Sequence, residues 1–215
     1  MKKPLILVDC EESQEVTKVF RNLGFNAFSC DTEECSGGYP EWHLKMDIFE
    51  AIKLRKWNML IGFPPCTYLS SVQTFLCRKD ELRVIKRIEA ADFFMKLWTA
   101  DIEFICLENP TGVMTHIFRP ADQVIHPYFF GGDSMKRTCL WLKNLPKLKH
   151  YTVTDLFNTQ THGKVKPPVK TWIQKSSGKI KYQRDVNTPF LSSKERSKLS
   201  VYIAKSMAEQ WKNVF

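Results

Sequence analysis

Two residues of this sequence have side chains and surroundings that suit covalent chemistry. Cys66 follows Pro64 and Pro65, and Glu108 occurs further along the chain. Because prolines fix the backbone and remove amide donors, the thiol is expected to be held rigidly. A thiolate adds to an electron-poor ring carbon, and a neighbouring carboxylic acid can protonate the ring that it attacks. The pair therefore predicts covalent catalysis on an aromatic ring, whereas Cys66 alone would indicate only a buried loop cysteine.

Both residues come directly after short apolar runs. Residues 58–63 precede the Pro-Pro-Cys loop, and residues 102–107 precede Glu108. Runs of this length and composition are typical of buried parallel strands. Adjacent parallel strands lie about 5 Å apart. If these two strands are neighbours, we expect the thiol and the carboxylate to face one pocket.

The rest of the chain alternates predicted strands and helices. We predict further strands at 5–9, 25–30 and 42–46, and helices at 13–22, 49–55, 80–99 and 193–213. Ser13 is expected to cap the first helix. Two later strands, near 124–130 and 138–142, are expected to close the sheet as an antiparallel pair. This order predicts an α/β fold with a mostly parallel sheet and helices on both faces.

Two of the predicted helices have apolar faces that define them. Apolar residues recur at three- and four-residue steps, as an amphipathic helix requires. In helix 80–99 they are Leu82, Ile85, Ile88, Ala91, Met95 and Trp98. In the last helix they are Leu199, Ile203, Met207 and Trp211.

Acidic residues stand at or near the ends of three predicted strands, at Asp9, Asp31 and Asp47. In open α/β sheets ligands bind at the carboxyl ends of the strands. An acid after the second strand can accept hydrogen bonds from ribose hydroxyls, and one after the third can reach an adenine amino group. The pattern favours a nucleoside-bearing cofactor. The alternative is that these acids only end strands and cap helices.

The loop after the first strand contains no glycine and carries Glu11, Glu12 and Glu15. Three carboxylates would repel a pyrophosphate, so the loop argues against the glycine-rich phosphate sites of dinucleotides and triphosphates. S-adenosylmethionine has a cationic sulfonium and no phosphate. It is electrostatically compatible with this loop.

The composition places the chain among soluble globular proteins. It has 215 residues, 43% of them hydrophobic, and a net charge of +9. We find no apolar run of about 18 residues, so no membrane span is expected and the cytosol is the expected setting. Seven cysteines without a Cys-x-x-Cys pair favour free thiols over a zinc site, and no metal is predicted.

Positive charge is concentrated in residues 143–198, which contain 13 Lys and Arg residues against Asp155, Asp185 and Glu195. Such a segment favours a polyanionic partner, which it would contact through phosphates. Tyr151, Trp172 and Tyr182 could stack on bases or pack locally. The alternative is a solvated basic insert. We expect a monomer or a weak dimer.

The motifs taken together resemble those of a known family. Gly62-Phe63-Pro64-Pro65-Cys66 followed by Glu108-Asn109-Pro110 resembles the cytosine-C5 DNA methyltransferases. The whole chain is similar to the short phage- and prophage-encoded DNA methylase-like proteins. That similarity includes residues 10–14, 36–43 and 207–211.

The resemblance implies roles for individual residues. Cys66 would add to C6 of a flipped-out cytosine, Glu108 would contact N3 and the exocyclic amine, and Arg137 would support the base. The methyl group would come from S-adenosylmethionine, with Asp31 on the ribose and Asp47 on the adenine. The full predicted cofactor set is Asp9, Cys10, Glu11, Ser13, Gln14, Asp31, Asp47 and Pro64.

The resemblance also divides the chain into parts. Residues 1–146 would form the catalytic domain, 147–190 a short basic target-recognition-like insert, and 191–215 a helix that packs back on the catalytic domain. The partner of the basic segment 143–198 would then be double-stranded DNA. The family's glycine-rich first motif is here Asp9-Cys10-Glu11-Glu12-Ser13-Gln14. Two alternatives therefore stay open. One is a DNA- or protein-binding module that does not use the cofactor, and the other is methyl transfer to RNA or a nucleotide.

Overall fold

A seven-stranded sheet forms the centre of the molecule, in the order β3-β2-β1-β4-β5-β7-β6. The structure, a computed structural model, describes residues 3–77, 80–132, 134, 136–150 and 198–215, together with four short strands between positions 152 and 182. The sheet strands are β1 Leu5–Asp9, β2 Asn26–Asp31, β3 His43–Lys45, β4 Met59–Gly62, β5 Phe104–Asn109, β6 Gln123–Ile125 and β7 Thr138–Lys143.

The sheet is parallel except for β7. Strands β1 to β5 pair in parallel, and β7 runs antiparallel to both β5 and β6. The order 3-2-1-4-5 is the Rossmann order, and its direction reverses between β1 and β4, where ligands bind in such sheets. The predicted fold class, a Rossmann-like α/β sheet of the methyltransferase type with an antiparallel closing pair, is confirmed.

Helices cover both faces of the sheet and enclose two apolar cores. They are α1 Glu15–Asn22, α2 Ile48–Leu54, α3 Thr74–Cys77, α4 Glu81–Trp98, α5 Met114–Ile117 and α6 Val201–Trp211. On one face α1 and α6 pack together, with Phe20 and Trp211 fully buried. On the other face α2 and α4 contribute Ala51, Phe94 and Leu97.

Helix α4 spans the predicted range, but the predicted apolar face was wrong for its first half. Phe94 and Leu97 are fully buried, whereas Leu82, Ile85 and Ile88 are 58%, 53% and 64% exposed. At 100° per residue these two sets lie on opposite sides of the helix. Periodicity detects an apolar face, but it does not tell which of two such faces meets the core.

Helix α6 begins at Val201, and Ile203, Met207 and Trp211 are fully buried as expected. The predicted start at Ser193 lies outside the described residues. Within the predicted insert the structure gives two antiparallel hairpins: β8 Thr152–Thr154 with β9 Thr159–Thr161, and β10 Thr171–Ile173 with β11 Ile180–Tyr182. The base-contacting role of the insert and the three-part division of the chain stay predictions. In the described part of the chain, no helix is both long and apolar enough to cross a membrane.

Candidate active site

A cavity of about 400 Å³ opens at the carboxyl ends of β1, β2, β4 and β5. Its position is the switch point of the sheet, where Asp9 of β1 pairs with Gly62 of β4. The residues that line it are Cys10, Glu11, Glu12, Ser13, Asp31, Glu33, Phe63, Pro64, Pro65, Cys66, Thr67, Glu108, Lys198 and Leu199. The two residues predicted to perform covalent chemistry therefore share this cavity with five of the predicted cofactor residues.

Cys66 and Glu108 reach the cavity from neighbouring strands. β4 and β5 pair in parallel, with Gly62 opposite Leu107, so the Pro-Pro-Cys loop begins beside Glu108. Cys66 is exposed to solvent, whereas Glu108 is buried at the end of β5. The arrangement presents an accessible thiol above a carboxyl group that is shielded from water.

Asn109 fastens the two strand ends to each other. Its side-chain nitrogen donates a hydrogen bond to the Pro64 carbonyl at 2.7 Å, and the residue is almost fully buried. The opposite amide oxygen of Asn109 has no hydrogen-bond partner in the structure. The Glu-Asn-Pro motif thus contributes a second residue that fixes the position of Cys66, a role that we did not predict.

The loop after Asn109 also braces the loop after Cys66. The Val113 amide donates to the Leu69 carbonyl at 2.9 Å, and a β-bridge joins Ser70 to Gly112. A Cβ on Gly112 would lie 1.9 Å from the Leu69 carbonyl oxygen, so only glycine permits this approach. The backbone that presents Cys66 is therefore supported on both sides.

The surroundings favour the neutral forms of both catalytic candidates. Burial raises the pKa of the Glu108 carboxyl. The Cys66 residue is exposed as a whole, but the cavity partly desolvates its sulfur. This desolvation and the nearby Glu108 charge raise the pKa of the thiol above its usual 9.0. Lys136 is the cation that opposes both effects, since its charge lowers the pKa of each group. A protonated Glu108 can donate to a substrate, whereas the thiol needs help to ionise.

Lys136, not Arg137, is the cation that acts on Cys66 and Glu108. The Lys136 ammonium donates to the carbonyl of Lys198, a residue of the cavity wall, at 3.1 Å. Arg137 is exposed, does not line the cavity, and acts electrostatically on Cys139 instead. In the sequence the two cations are adjacent, and only the direction of the chain before β7 decides which of them faces inward.

The start of α1 differs from the prediction that Ser13 caps it. Gln14 precedes the helix in a left-handed conformation, with φ of 58°. The Glu11 carboxylate takes the capping role instead, accepting hydrogen bonds from the amides of Val16 and Thr17 and from the Thr17 hydroxyl. An acid at a helix N-terminus satisfies free amides and is favoured by the helix dipole. Ser13 is buried and lines the cavity.

Gln14 is fully buried and holds a neighbouring loop rather than lining the cavity. Its amide nitrogen donates to the Tyr39 carbonyl at 2.8 Å, and its oxygen accepts from the Tyr39 amide and the Cys35 thiol, both at 3.1 Å. A Cβ on Gly37 would lie 2.5 Å from the Ser13 carbonyl. The glycine-free first loop is therefore packed against a glycine from the loop after β2.

The three acids at the strand ends occupy different environments. Asp31 lines the cavity. Asp47 is exposed, caps α2 by accepting from the Phe49 amide at 2.8 Å, and does not line the cavity. Asp9 is buried behind the cavity wall, and its Oδ2 has no hydrogen-bond partner. Asp31 is thus the one of the three that a ligand in the cavity can contact directly.

Burial raises the pKa of two acids, one at the end of β1 and one in the first loop. It raises the pKa of Asp9 from 3.8 to about 7 and that of Glu11 from 4.5 to about 7. The lining includes four carboxyl groups near the first loop and β2, and Lys198 is the one cation among the described residues that line it. Such a wall favours a cationic ligand over a phosphate. In the described residues no group of three or more His, Cys, Asp and Glu side chains could hold a metal ion.

Comparison with known proteins adds a similarity of fold. No protein-family profile matches the chain, and no curated protein sequence matches it. Among solved structures, it is similar to a prophage-encoded E. coli protein that is provisionally described as a DNA modification methyltransferase. The identity is 14% and the TM-score 0.43, over 65% of this chain and 46% of that protein. This chain thus spans less than half of that protein's length.

Proposed function

We propose that the protein is an S-adenosylmethionine-dependent DNA (cytosine-5)-methyltransferase that attacks C6 of a flipped cytosine through Cys66. The observation that carries the proposal is that Cys66 and Glu108 line one cavity from adjacent strands. The first loop and Asp31 line the same cavity. One cavity thereby combines a nucleophile and an acid with carboxylates suited to a cationic nucleoside.

Glu108 and Cys66 divide the chemistry between them. Because burial raises the pKa of Glu108, its carboxyl can remain protonated and donate to N3 of cytosine. Protonation at N3 draws electrons from C6, where the Cys66 thiolate forms its bond. Electron density then rises at C5, the atom that accepts the methyl group. Loss of the C5 proton and expulsion of the thiolate restore the aromatic ring and free Cys66.

Lys136 would favour the ionised thiol during this step. Its charge lowers the pKa of Cys66, against burial and Glu108, which raise it. The structure holds the ammonium on the Lys198 carbonyl, at the end of the basic segment. Lys136 rather than Arg137 is therefore our candidate for the cation that supports the catalytic pair.

The carboxylates of the cavity lining fit S-adenosylmethionine, which supplies an electrophilic methyl group when bound. The cavity volume of about 400 Å³ lies within the range of about 300–1,000 Å³ that small-molecule sites occupy. Asp31 would accept hydrogen bonds from the ribose, while Cys10, Glu11, Glu12 and Ser13 would surround the cationic end. Asp9 would add negative charge from behind the wall.

Methyl transfer to DNA can be tested directly. We expect the purified protein to convert cytosine to 5-methylcytosine in duplex DNA with labelled cofactor. Cys66→Ser and Glu108→Gln should lose at least about a hundredfold in rate, as loss of a nucleophile or a general acid does. The Cys106→Ser variant, which changes a buried cysteine of β5, is the matched control and should stay active.

The covalent step has its own readout. A DNA duplex with 5-fluorocytosine has no C5 proton to lose, so the enzyme should stay attached to it through Cys66. We expect a protein–DNA adduct that resists denaturation and is absent in Cys66→Ser. Methylation without an adduct would contradict the covalent route, and an absence of 5-methylcytosine with any duplex would contradict the proposed acceptor.

A second candidate is a module that binds DNA or protein without using the cofactor. The glycine-free first loop favours it, because Glu11 is committed to capping α1 and Gln14 to holding Tyr39. Calorimetry with S-adenosylhomocysteine distinguishes the two functions. Micromolar binding that weakens on Asp31→Ala supports the enzyme, whereas no binding at millimolar ligand supports the module. Methyl transfer to RNA or a nucleotide is separated from both by substrate competition.

A further inference from the structure

Helix α4 has an apolar surface that the described part of the chain leaves uncovered. The outer face of α4 consists of Leu82, Ile85 and Ile88. It lies opposite the side of the helix from which Phe94 and Leu97 fill the core. All three are more than half exposed. Val84 is 42% exposed on the same half of the helix. Single exposed apolar residues are common, but a contiguous apolar stripe marks an interaction site.

The apolar surface continues beyond the helix. A groove runs beside Ile88, between α4 and the segment around α5, and Ala91, Met95 and Val113 line it. Ile117, which is 60% exposed, forms its far side. A partner that covers the outer face can therefore insert side chains into a preformed depression.

The charges around this surface argue against nucleic acid as the occupant. Three acids and three cations lie on or beside the exposed side of α4 and its groove: Glu81, Glu89 and Asp92, and Lys86, Arg87 and Lys96. This surface is thus close to neutral, although the whole chain has a net charge of +9. A polyanion would be attracted elsewhere on the molecule.

The same charges are complementary to those of a second copy. We propose that the outer face of α4 pairs with the same face of another molecule, with the two helices antiparallel about a twofold axis near Ile88. A twofold interface is isologous, so each residue meets its counterpart across the axis. In this register Glu81 of one helix lies opposite Lys96 of the other. Lys86 lies near Glu89 in the same way, so each contact occurs twice.

The size of the surface sets the strength of the dimer. A helix of 18 residues is about 27 Å long, and only the half around Ile85 and Ile88 presents an apolar face. The buried area is therefore below the roughly 800 Å² per partner of a standard interface. An interface of this size favours a reversible dimer, which gives a concentration-dependent sedimentation coefficient.

Analytical ultracentrifugation of the full chain tests the pairing. We expect dimer to form between about 1 and 200 μM, and Ile88→Glu to raise the dissociation constant at least about tenfold. Leu54→Glu is the matched control, since Leu54 is 54% exposed on α2, away from the outer face. It should dimerise like the unaltered protein.

Charge reversal tests the antiparallel register. Glu81→Lys and Lys96→Glu should each weaken the dimer by about three- to tenfold, because each places like charges across the axis twice. The double variant restores opposite charges and should dimerise nearly as well as the unaltered protein. A protein that is monomeric throughout the concentration range overturns the proposal. So does a dimer that Ile88→Glu leaves intact, or a loss of DNA affinity from Ile88→Glu without any change of mass.

Discussion

At the scale of single residues, Lys136 is the cation of the described residues whose charge lowers the pKa of the Cys66 thiol. Burial and Glu108 both raise the pKa of Cys66, and Lys136 opposes them. A resting protein of this kind keeps most of its Cys66 protonated near neutral pH. The reactivity of the thiol should therefore follow the charge at position 136 and not the overall positive charge of the chain.

Lys136→Met should make Cys66 less reactive. Removing the cation raises the pKa of the thiol further, so less thiolate is present at any fixed pH. We expect alkylation of Cys66 by iodoacetamide at pH 8 to slow about three- to tenfold. The pH profile should shift upward, as followed by mass spectrometry of the Cys66 peptide.

Two variants control this experiment. Lys136→Arg keeps the charge and should keep the profile, whereas Arg137→Met removes the neighbouring exposed cation and should leave Cys66 unchanged. An equal effect at both positions would mean that general positive charge, rather than the contact of Lys136 with the cavity wall, controls the thiol. The readout does not depend on methyl transfer.

The buried Asp9 should make the protein less stable as the pH rises. Its pKa is 3.8 in the reference state and about 7 when buried, so the folded state binds the proton more tightly. Its contribution is fully favourable below about pH 4 and is lost as the pH rises through about 7. Asp9→Asn removes this titration.

We expect Asp9→Asn to gain about 2 to 4 kcal/mol relative to the unaltered protein between pH 4 and pH 8, as a shift of about three units implies. Urea unfolding across this range measures the difference. Asp101→Asn changes an exposed acid and should not alter the slope. A gain that is equal at pH 4 and pH 8 would show that charge is not the cause.

At the scale of elements, the first loop and the loop after β2 act as one structure. Gln14 bonds to both the amide and the carbonyl of Tyr39, and the Ser36 amide donates to the Glu12 carbonyl at 2.8 Å. Gly37 lies against Ser13 with no room for a Cβ. This wall of the cavity therefore depends on contacts between two segments.

Gly37→Ala should loosen that wall. The new Cβ would lie 2.5 Å from the Ser13 carbonyl oxygen, which belongs to the backbone and cannot rotate away. We expect a loss of about 1 to 3 kcal/mol of stability, as overpacking costs. Hydrogen exchange of the Ser36 and Tyr39 amides should be faster. Gly38→Ala meets nothing within 4 Å, so it should show only the strain of its φ of +93° and normal exchange at Ser36.

The same elements mark how far the sequence predicts the site. Strands β4 and β5 were predictable because short apolar runs end directly at Cys66 and Glu108, and the structure brings both residues to one cavity. The cap of α1 was not predictable from the sequence, because the Glu11 carboxylate meets the Val16 amide after a left-handed turn at Gln14. Lys136 and Arg137 are adjacent cations in the sequence. Only the three-dimensional structure shows which of the two faces the cavity.

At the scale of the whole molecule, positive charge is concentrated away from Cys66 and Glu108 in the sequence. Residues 143–198 contain 13 of the 32 Lys and Arg residues, and among the described residues of this segment Lys198 is the cation that lines the cavity. The start of this segment is firmly held. Gln123 bonds to the amide and carbonyl of Leu148, and Gln210 does the same for Lys149, at 2.7–2.9 Å. At the other end of the segment, the Lys136 ammonium donates to the carbonyl of Lys198.

The proposed function predicts that the basic segment contacts the phosphates of DNA. If the segment contacts phosphates, neutralising its lysines should weaken binding and reduce its salt dependence together. Each phosphate contact contributes about 0.9 to the slope of log affinity against log salt concentration. We expect the triple variant Lys164→Gln, Lys166→Gln and Lys170→Gln to lower that slope by about 2 to 3 and to weaken binding at low salt by at least about tenfold.

The matched control removes the same charge from the other parts of the chain. Lys53→Gln, Lys56→Gln and Lys212→Gln change three exposed lysines and leave the net charge equal to that of the first variant. Fluorescence anisotropy on one duplex, at salt concentrations from low to physiological, compares the two. Because both variants have lost three charges, a general field effect would weaken them equally. A loss confined to the first variant assigns the phosphate contacts to the basic segment.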